Sequence, residues 1–226
     1  MAFEGFGSAT LDFLSDLAEH NDRDWFAANR DRYERVLLGP EKEFIDALGK
    51  ELQVFDARVH AVPAVNGSIF RINRDIRFSR DKSPYKTHAD LWFWIGEDRK
   101  TAMGYFLRMI PGEIWVGGGT HQMTDEQTAR YRRAVVSSDA GGRLVEIVGA
   151  LRSDGLDVDG EQSKRLPAGF SAEGARADLL RFKWVHTMDK FAPPPAEFAG
   201  PEFVGWCVGQ FARTRPLVDW LAETVV

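Results

Sequence analysis

Apolar residues recur every three or four positions at the two ends of the chain and every second position in its middle. Leu11, Leu14, Leu17 and Ala18 predict one face of a first helix, capped by Ser8 or Thr10. The polar turn His20-Asn21-Asp22 ends it. Trp25, Asn29, Tyr33 and Val36/Leu37 predict a second helix. Gly39-Pro40 breaks that pattern and starts a third, with Phe44, Leu48, Leu52 and Phe55 inward. The period then shortens. Ser68 to Ile72 reads as a strand, and so does His88 to Ile95, whose apolar residues on both faces predict a central position. Met103 to Ile110 follows, then the turn Pro111-Gly112, then Ile114 to Val116 running into Gly117-Gly118-Gly119. Connections this short favour an antiparallel meander. Thr124-x-x-Gln127 is a capping box. A helix carries Leu144, Ile147, Val148 and Leu151, residues 153–175 look irregular, and Phe182 to Met188 reads as a last strand. After a loop over Ala192 to Gly200, Pro201 opens a helix with Val204, Cys207, Val208 and Phe211. Thr214 and Pro216 open a short closing helix with Leu217, Trp220 and Leu221. Helices, strands, then helices predict an α+β fold: an antiparallel sheet of about five strands flanked by N-terminal and C-terminal helices.

Composition narrows this picture. The chain has 226 residues, 44% of them hydrophobic, which suits one domain over residues 1–226. A net charge of −5 disfavours general nucleic-acid binding. Cys207 is the only cysteine, so an internal disulfide and a cysteine zinc cluster are excluded and a reducing cytoplasm is expected. The start MAFEGFGSAT lacks the basic and apolar regions of a signal peptide, and LWFWI is too short to cross a membrane. No membrane partner is expected, and no cofactor: neither G-x-G-x-x-G nor G-x-x-x-x-G-K-[ST] is present. The serine-hydrolase elbow G-x-S-x-G is also missing.

Charge is concentrated between Arg71 and His88, RINRDIRFSRDKSPYKTH. Six basic residues face two acids there, and this local +4 leaves −9 for the rest of the chain. Arg71, Arg74, Arg77 and Arg80 recur every third residue, which gathers on one face of neither a helix nor a strand. Pro84 disfavours helix at Ser83. The segment therefore reads as a strand to Ile72, a loop from Asn73 to Tyr85, and a new strand at His88. Guanidinium forks suit phosphate or carboxylate, so Arg71, Arg74, Arg77, Lys82 and Lys86 are candidate anion-binding residues. The expected ligand is an anionic small molecule. Asp75, Asp81 and Tyr85 are candidates for orienting groups or proton exchange. Asp beside Arg has a lowered pKa, which weakens the case for a base. Two alternatives stay open: a nucleic-acid module using the same loop on phosphates, and a structural web of salt bridges.

Smaller signals have two readings each. The three glycines form an anion-binding nest or, more simply, a bulge or turn at a strand end. His88-x-Asp90 puts two polar residues on one strand face, read as a hydrogen-bonded pair rather than a metal site. His121 is the better site histidine. Trp92 and Trp94 are a stacking platform or, preferably, packing beneath helices.

The pattern Arg71, Arg74, Asp75, Arg77, Phe78, Asp81, Lys82 and Tyr85 resembles the signature of a bacterial family, domain of unknown function 2461. FLSDLAEHNDRDWFAANRDRYE, GYFLRMIPGEIWVGGG and KRLPAGF are also similar to it. His20 departs from it, standing where the family often has Asn. The resemblance implies a single domain of about this length and no known activity. It also implies that the charged segment is important.

Overall fold

The computed structural model describes residues 2–225. Four helical segments come first: α1 (Ser8–Glu19), α2 (Arg23–Ala28), α3 (Arg30–Tyr33) and, after a π turn at Glu34–Leu38, α4 (Gly39–Phe55). Strands β1 (Val59–His60), β2 (Ala89–Ile95), β3 (Met103–Ile110) and β4 (Glu113–Thr120) follow. Then come α5 (Asp125–Val136), α6 (Ser138–Ser153), β5 (Val158–Asp159), α7 (Ala175–Leu179), β6 (His186–Phe191), a 3-10 turn at Ala196–Ala199 and α8 (Phe203–Val225). The class is α+β. The sheet has six strands among the described residues, against about five expected, in the order β1-β2-β3-β4-β6-β5. The extra members are the two-residue β1 and β5, too short to leave a period in the sequence. No helix among the described residues is long and apolar enough to cross a membrane.

The chain divides into two compact units. One comprises residues 1–93, 106–115 and 190–208; the other comprises 94–105, 116–189 and 209–226. In the first, Phe3, Phe6, Phe44, Phe198 and Phe203 form an aromatic core with neighbouring ring centroids 5.1–6.0 Å apart. Such pairs add to the free energy of burial itself. In the second, Tyr105 packs on Phe211 and Tyr131 on Trp220. Tyr131 Oη donates to the Leu179 carbonyl and Trp220 Nε1 to that of Ala140, each at 2.9 Å.

Several boundaries differ from expectation. The inward face of α1 is Thr10, Phe13, Leu14 and Leu17, and its cap is Gly7 without a side-chain bond. Thr10 is buried and donates to the Val36 carbonyl at 2.8 Å instead. The predicted second helix is broken into α2, α3 and the π turn, which keeps Phe26, Tyr33 and Leu37 inward. Gly39-Pro40 does not interrupt the backbone, because Leu38 and Gly39 are both helical and Pro40 sits in the first turn. Ser68 to Ile72 forms isolated bridges rather than a strand. Ser68 and Ile69 donate to the carbonyls of Val62 and Ala64, so a turn uses their backbone. The last strand lies four residues later than predicted, at His186. Pro216 lies inside α8 rather than opening a new helix. The proline leaves the Ala212 carbonyl without its helical donor, but both residues are exposed, so water can serve it. The capping box is as expected, with Thr124 and Gln127 each bonding the other's backbone N–H.

Gly117, Gly118 and Gly119 lie within β4 rather than at its end. A Cβ on Gly117 would sit 2.1 Å from the Thr187 carbonyl oxygen, and one on Gly119 2.5 Å from that of Val185. One on Gly118 would meet Thr214 Oγ1 at 2.5 Å. The glycines therefore allow β6 and α8 to approach, and they are neither nest nor loop.

Candidate functional site

The Arg71–His88 segment is a hairpin with an irregular tip. Its arms pair through the bridges Ile69–Leu91 and Asn73–Tyr85. The Arg74 N–H donates to the Pro84 carbonyl at 2.9 Å and the Lys86 N–H to that of Ile72 at 2.8 Å. Asn21 clamps one arm, exchanging two 3.0 Å bonds with the backbone of Tyr85. The Tyr85 ring stacks on Phe26 with centroids 4.2 Å apart. Tyr85 is thus a buried anchor of the hairpin.

The tip is tied to itself. Arg74 pairs with Asp81 and also reaches the Ser83 carbonyl at 3.2 Å. Asp81 in turn accepts from the backbone and hydroxyl of Ser83, at 2.9 and 2.6 Å. Arg77 holds Asp75 through both carboxylate oxygens, with its closest contact 2.6 Å. Lys82 Nζ donates to the Ile76 carbonyl at 2.9 Å. Hydrogen bonds from Arg77 hold the Asp75 carboxyl down to about 2, and those from Ser83 and Arg74 do the same for Asp81. Both stay ionised at neutral pH and are poor proton acceptors. Arg71 and Arg80 are exposed and form no ion pair among the described residues. The candidate anion-binding residues do not converge: Arg74, Arg77 and Lys82 serve the tip, while Lys86 lies at the base.

At the base a second cluster forms that charge density alone did not reveal. Lys86 and His88, in the bend that leads into β2, both reach Asp90 near the start of that strand. Asp90 is 6% exposed. Its carboxylate accepts from Arg108 Nε at 2.6 Å and Nη2 at 3.1 Å, and from His88 Nε2 at 3.3 Å. Lys86 Nζ is 3.8 Å away and lies over the Phe70 ring. The expected hydrogen bond between His88 and Asp90 is present. Burial pushes the Asp90 carboxyl up, but the bonds from His88 and Arg108 outweigh it and hold the group at about 2. The Arg108 guanidinium lies 5.3 Å from the Phe106 ring and 5.5 Å from Trp115, and Lys190 Nζ lies 4.0 Å from Trp115.

Glu41, in the first turn of α4, feels the charge of Asp90. It is 2% exposed. Burial, and secondarily the Asp90 charge, push its carboxyl well above the ordinary value. Burial likewise pushes the Tyr33 hydroxyl up, with Glu41 adding to the effect. Among the described residues no group of three or more His, Cys, Asp or Glu side chains is arranged to hold a metal. Period-two spacing in Lys86-x-His88-x-Asp90 and Phe106-x-Arg108 was the available sequence signal. Glu41 had one too: it stands three and four residues before Phe44 and Ile45, on the apolar stripe of α4, where an acid is out of place.

A family model described as conserved hypothetical protein (DUF2461) matches residues 9–220. The chain belongs to that family. The DUF2461 match runs from α1 into α8 and includes both the hairpin and the Asp90 cluster. Neither a curated protein nor a solved structure matches the chain. His121, the other candidate histidine of this DUF2461 chain, packs against Trp184 with centroids 5.7 Å apart, away from either cluster in sequence. Trp92 and Trp94 are both buried, as packing residues rather than an open platform.

Proposed function

We propose that the chain binds an anionic small molecule, phosphorylated or carboxylated, at the base of the hairpin rather than at its tip. Lys86, His88 and Arg108 are the binding groups, with Lys190 adding a further positive charge. One observation carries the reading: three basic side chains gather on a single buried carboxylate, Asp90. Asp90 fixes their orientation, and the guanidinium of the partly exposed Arg108 has more donors than the two it gives to Asp90. A preorganised set of donors loses little entropy on binding. Phe106 and Trp115 give the site an apolar wall. The tip residues Arg71, Arg74, Arg77 and Lys82 then act as support for the hairpin and as a cationic approach. Asp75 and Asp81 orient arginines, and proton exchange falls instead to His88 or Glu41. The lone buried thiol of Cys207 suits a cytosolic setting.

Titrating inorganic phosphate, benzoate and a nucleoside monophosphate while following melting temperature and tryptophan fluorescence tests the reading. The wild type is expected to be stabilised by at least one of them. Arg108→Gln is expected to weaken that ligand by tenfold or more, and Arg71→Gln to leave it unchanged. A flat response across the panel, or equal loss in both variants, overturns the base site.

A further inference from the structure

Phe78 is 96% exposed at the hairpin tip, the most exposed of the large apolar side chains. Isolated exposed apolar residues are ordinary. This one is presented on a braced frame, because Arg74, Arg77 and Lys82 bond within the tip on either side of it. Its fringe is cationic. Between Arg74 and Pro84 four basic residues face two carboxylates, and Arg80 has no ion pair among the described residues. A rigid aromatic flanked by arginines is the composition that dominates protein interfaces.

A complementary surface exists in the same compact unit. A cleft of about 490 Å³ is lined by Phe3, Ala47 and Val204 and rimmed by Glu43, Asp46 and Glu51, with Lys50 the one basic lining residue. Its floor is apolar and its rim carries three carboxylates against one ammonium. The tip has the inverse character: an apolar centre and a positive rim. The volume is within the range that accommodates a drug-sized group and so has room for a phenyl ring.

We infer that the hairpin tip of one copy docks into the Phe3–Ala47–Val204 cleft of a second copy, with Phe78 in the cleft and Arg80 against Asp46. Charge complementarity selects this occupant. A nucleic acid or an anionic membrane would meet the remaining acidic surface of the chain, whereas the cleft offers negative charge only at its rim. Each copy carries both halves of the contact, so docking is either reciprocal, giving a two-fold dimer, or head-to-tail. One tip buries less than the ~1,000 Å² of a stable interface, so the association is weak and concentration-dependent.

Sedimentation velocity from roughly 10 to roughly 500 µM tests this, a range suited to a small interface. The wild type is expected to shift from monomer to dimer or longer species, less so at about 1 M than at about 0.1 M salt, where screening is weaker. Phe78→Ala and Asp46→Lys are each expected to weaken association tenfold or more. Arg80→Asp should do the same alone and should restore association when combined with Asp46→Lys. Both Arg80 and Asp46 are exposed, so these swaps leave folding intact, as circular dichroism would verify. A wild type that remains monomeric throughout overturns the inference, including one that binds single-stranded oligonucleotide through Phe78. So does association that Phe78→Ala and the charge swaps leave unchanged.

Discussion

The tip and base of one hairpin treat charge in opposite ways. At the tip, basic and acidic residues neighbour one another in sequence and two pairs of them meet in space, at the surface. Arg77 is 76% exposed in its pair with Asp75. Water screens such pairs, and they contribute little to stability. At the base, Arg108 of β3 and the Lys86–His88 arm meet one carboxylate that is almost wholly buried, and a second buried carboxyl, Glu41, stands without a hydrogen bond among the described residues. Burial makes those interactions strong and makes their loss costly. Local density of charge therefore marks the tip, while convergence marks the base.

Removing the centre of the base is expected to have the largest effect. Asp90→Ala leaves Arg108, His88 and Lys86 without their common acceptor and should cost about 3 kcal/mol in urea unfolding, the scale for breaking a buried pair. The pH dependence has a definite sign. The folded Asp90 carboxyl, at about 2, lies below its ordinary value of 3.8, so its stabilisation is complete above that value and is lost as pH falls through about 2. Asp90→Asn should lack this part of the acid limb. An unaltered urea midpoint in Asp90→Ala would erase the contrast between base and tip.

Glu41 should give a smaller effect of opposite direction. Its folded carboxyl titrates above the ordinary 4.5, so the folded state holds the proton more tightly than the unfolded chain. Stability then declines as pH rises above 4.5 toward the folded value. Glu41→Gln, which cannot ionise, should raise the urea midpoint at pH about 8 more than at about 5, by the same linkage. Equal shifts at both values would remove Glu41 from the cluster's electrostatics.

The tip should respond least. Arg74→Ala removes bonds to Asp81 and the Ser83 carbonyl and should cost about 1 kcal/mol, the worth of a typical hydrogen bond. Arg77→Ala should leave the urea midpoint unchanged. A loss from Arg77→Ala as great as from Asp90→Ala would make the tip the energetic centre.

The main elements were legible because their side chains repeat with the backbone's period. β2 and β3 lie where alternation put them, within one residue, and the Thr124–Gln127 box is the start of α5. Errors fell where tertiary context decides. Pro216 is tolerated because its face of α8 is exposed, and Ser68–Ile72 loses its strand to a turn with Val62. The hairpin itself was legible, since threefold spacing and Pro84 excluded regular structure. Which of its charges would meet was not, because Arg108 and Glu41 come from elsewhere in the chain. The His88–Asp90 pair was visible from its spacing, but its meeting with Lys86 and Arg108 was not.

The glycine run of β4 has a consequence for anyone altering this protein. Alanine scanning passes over glycines or treats alanine as the mild choice, yet at positions 117–119 a single methyl group would have to occupy space already held by a carbonyl or a threonine hydroxyl. None of these three positions takes a side chain without a shift of β6 or α8. A label, a tag junction or a library codon belongs outside β4, because Ile114 and Val116 before them are buried as well.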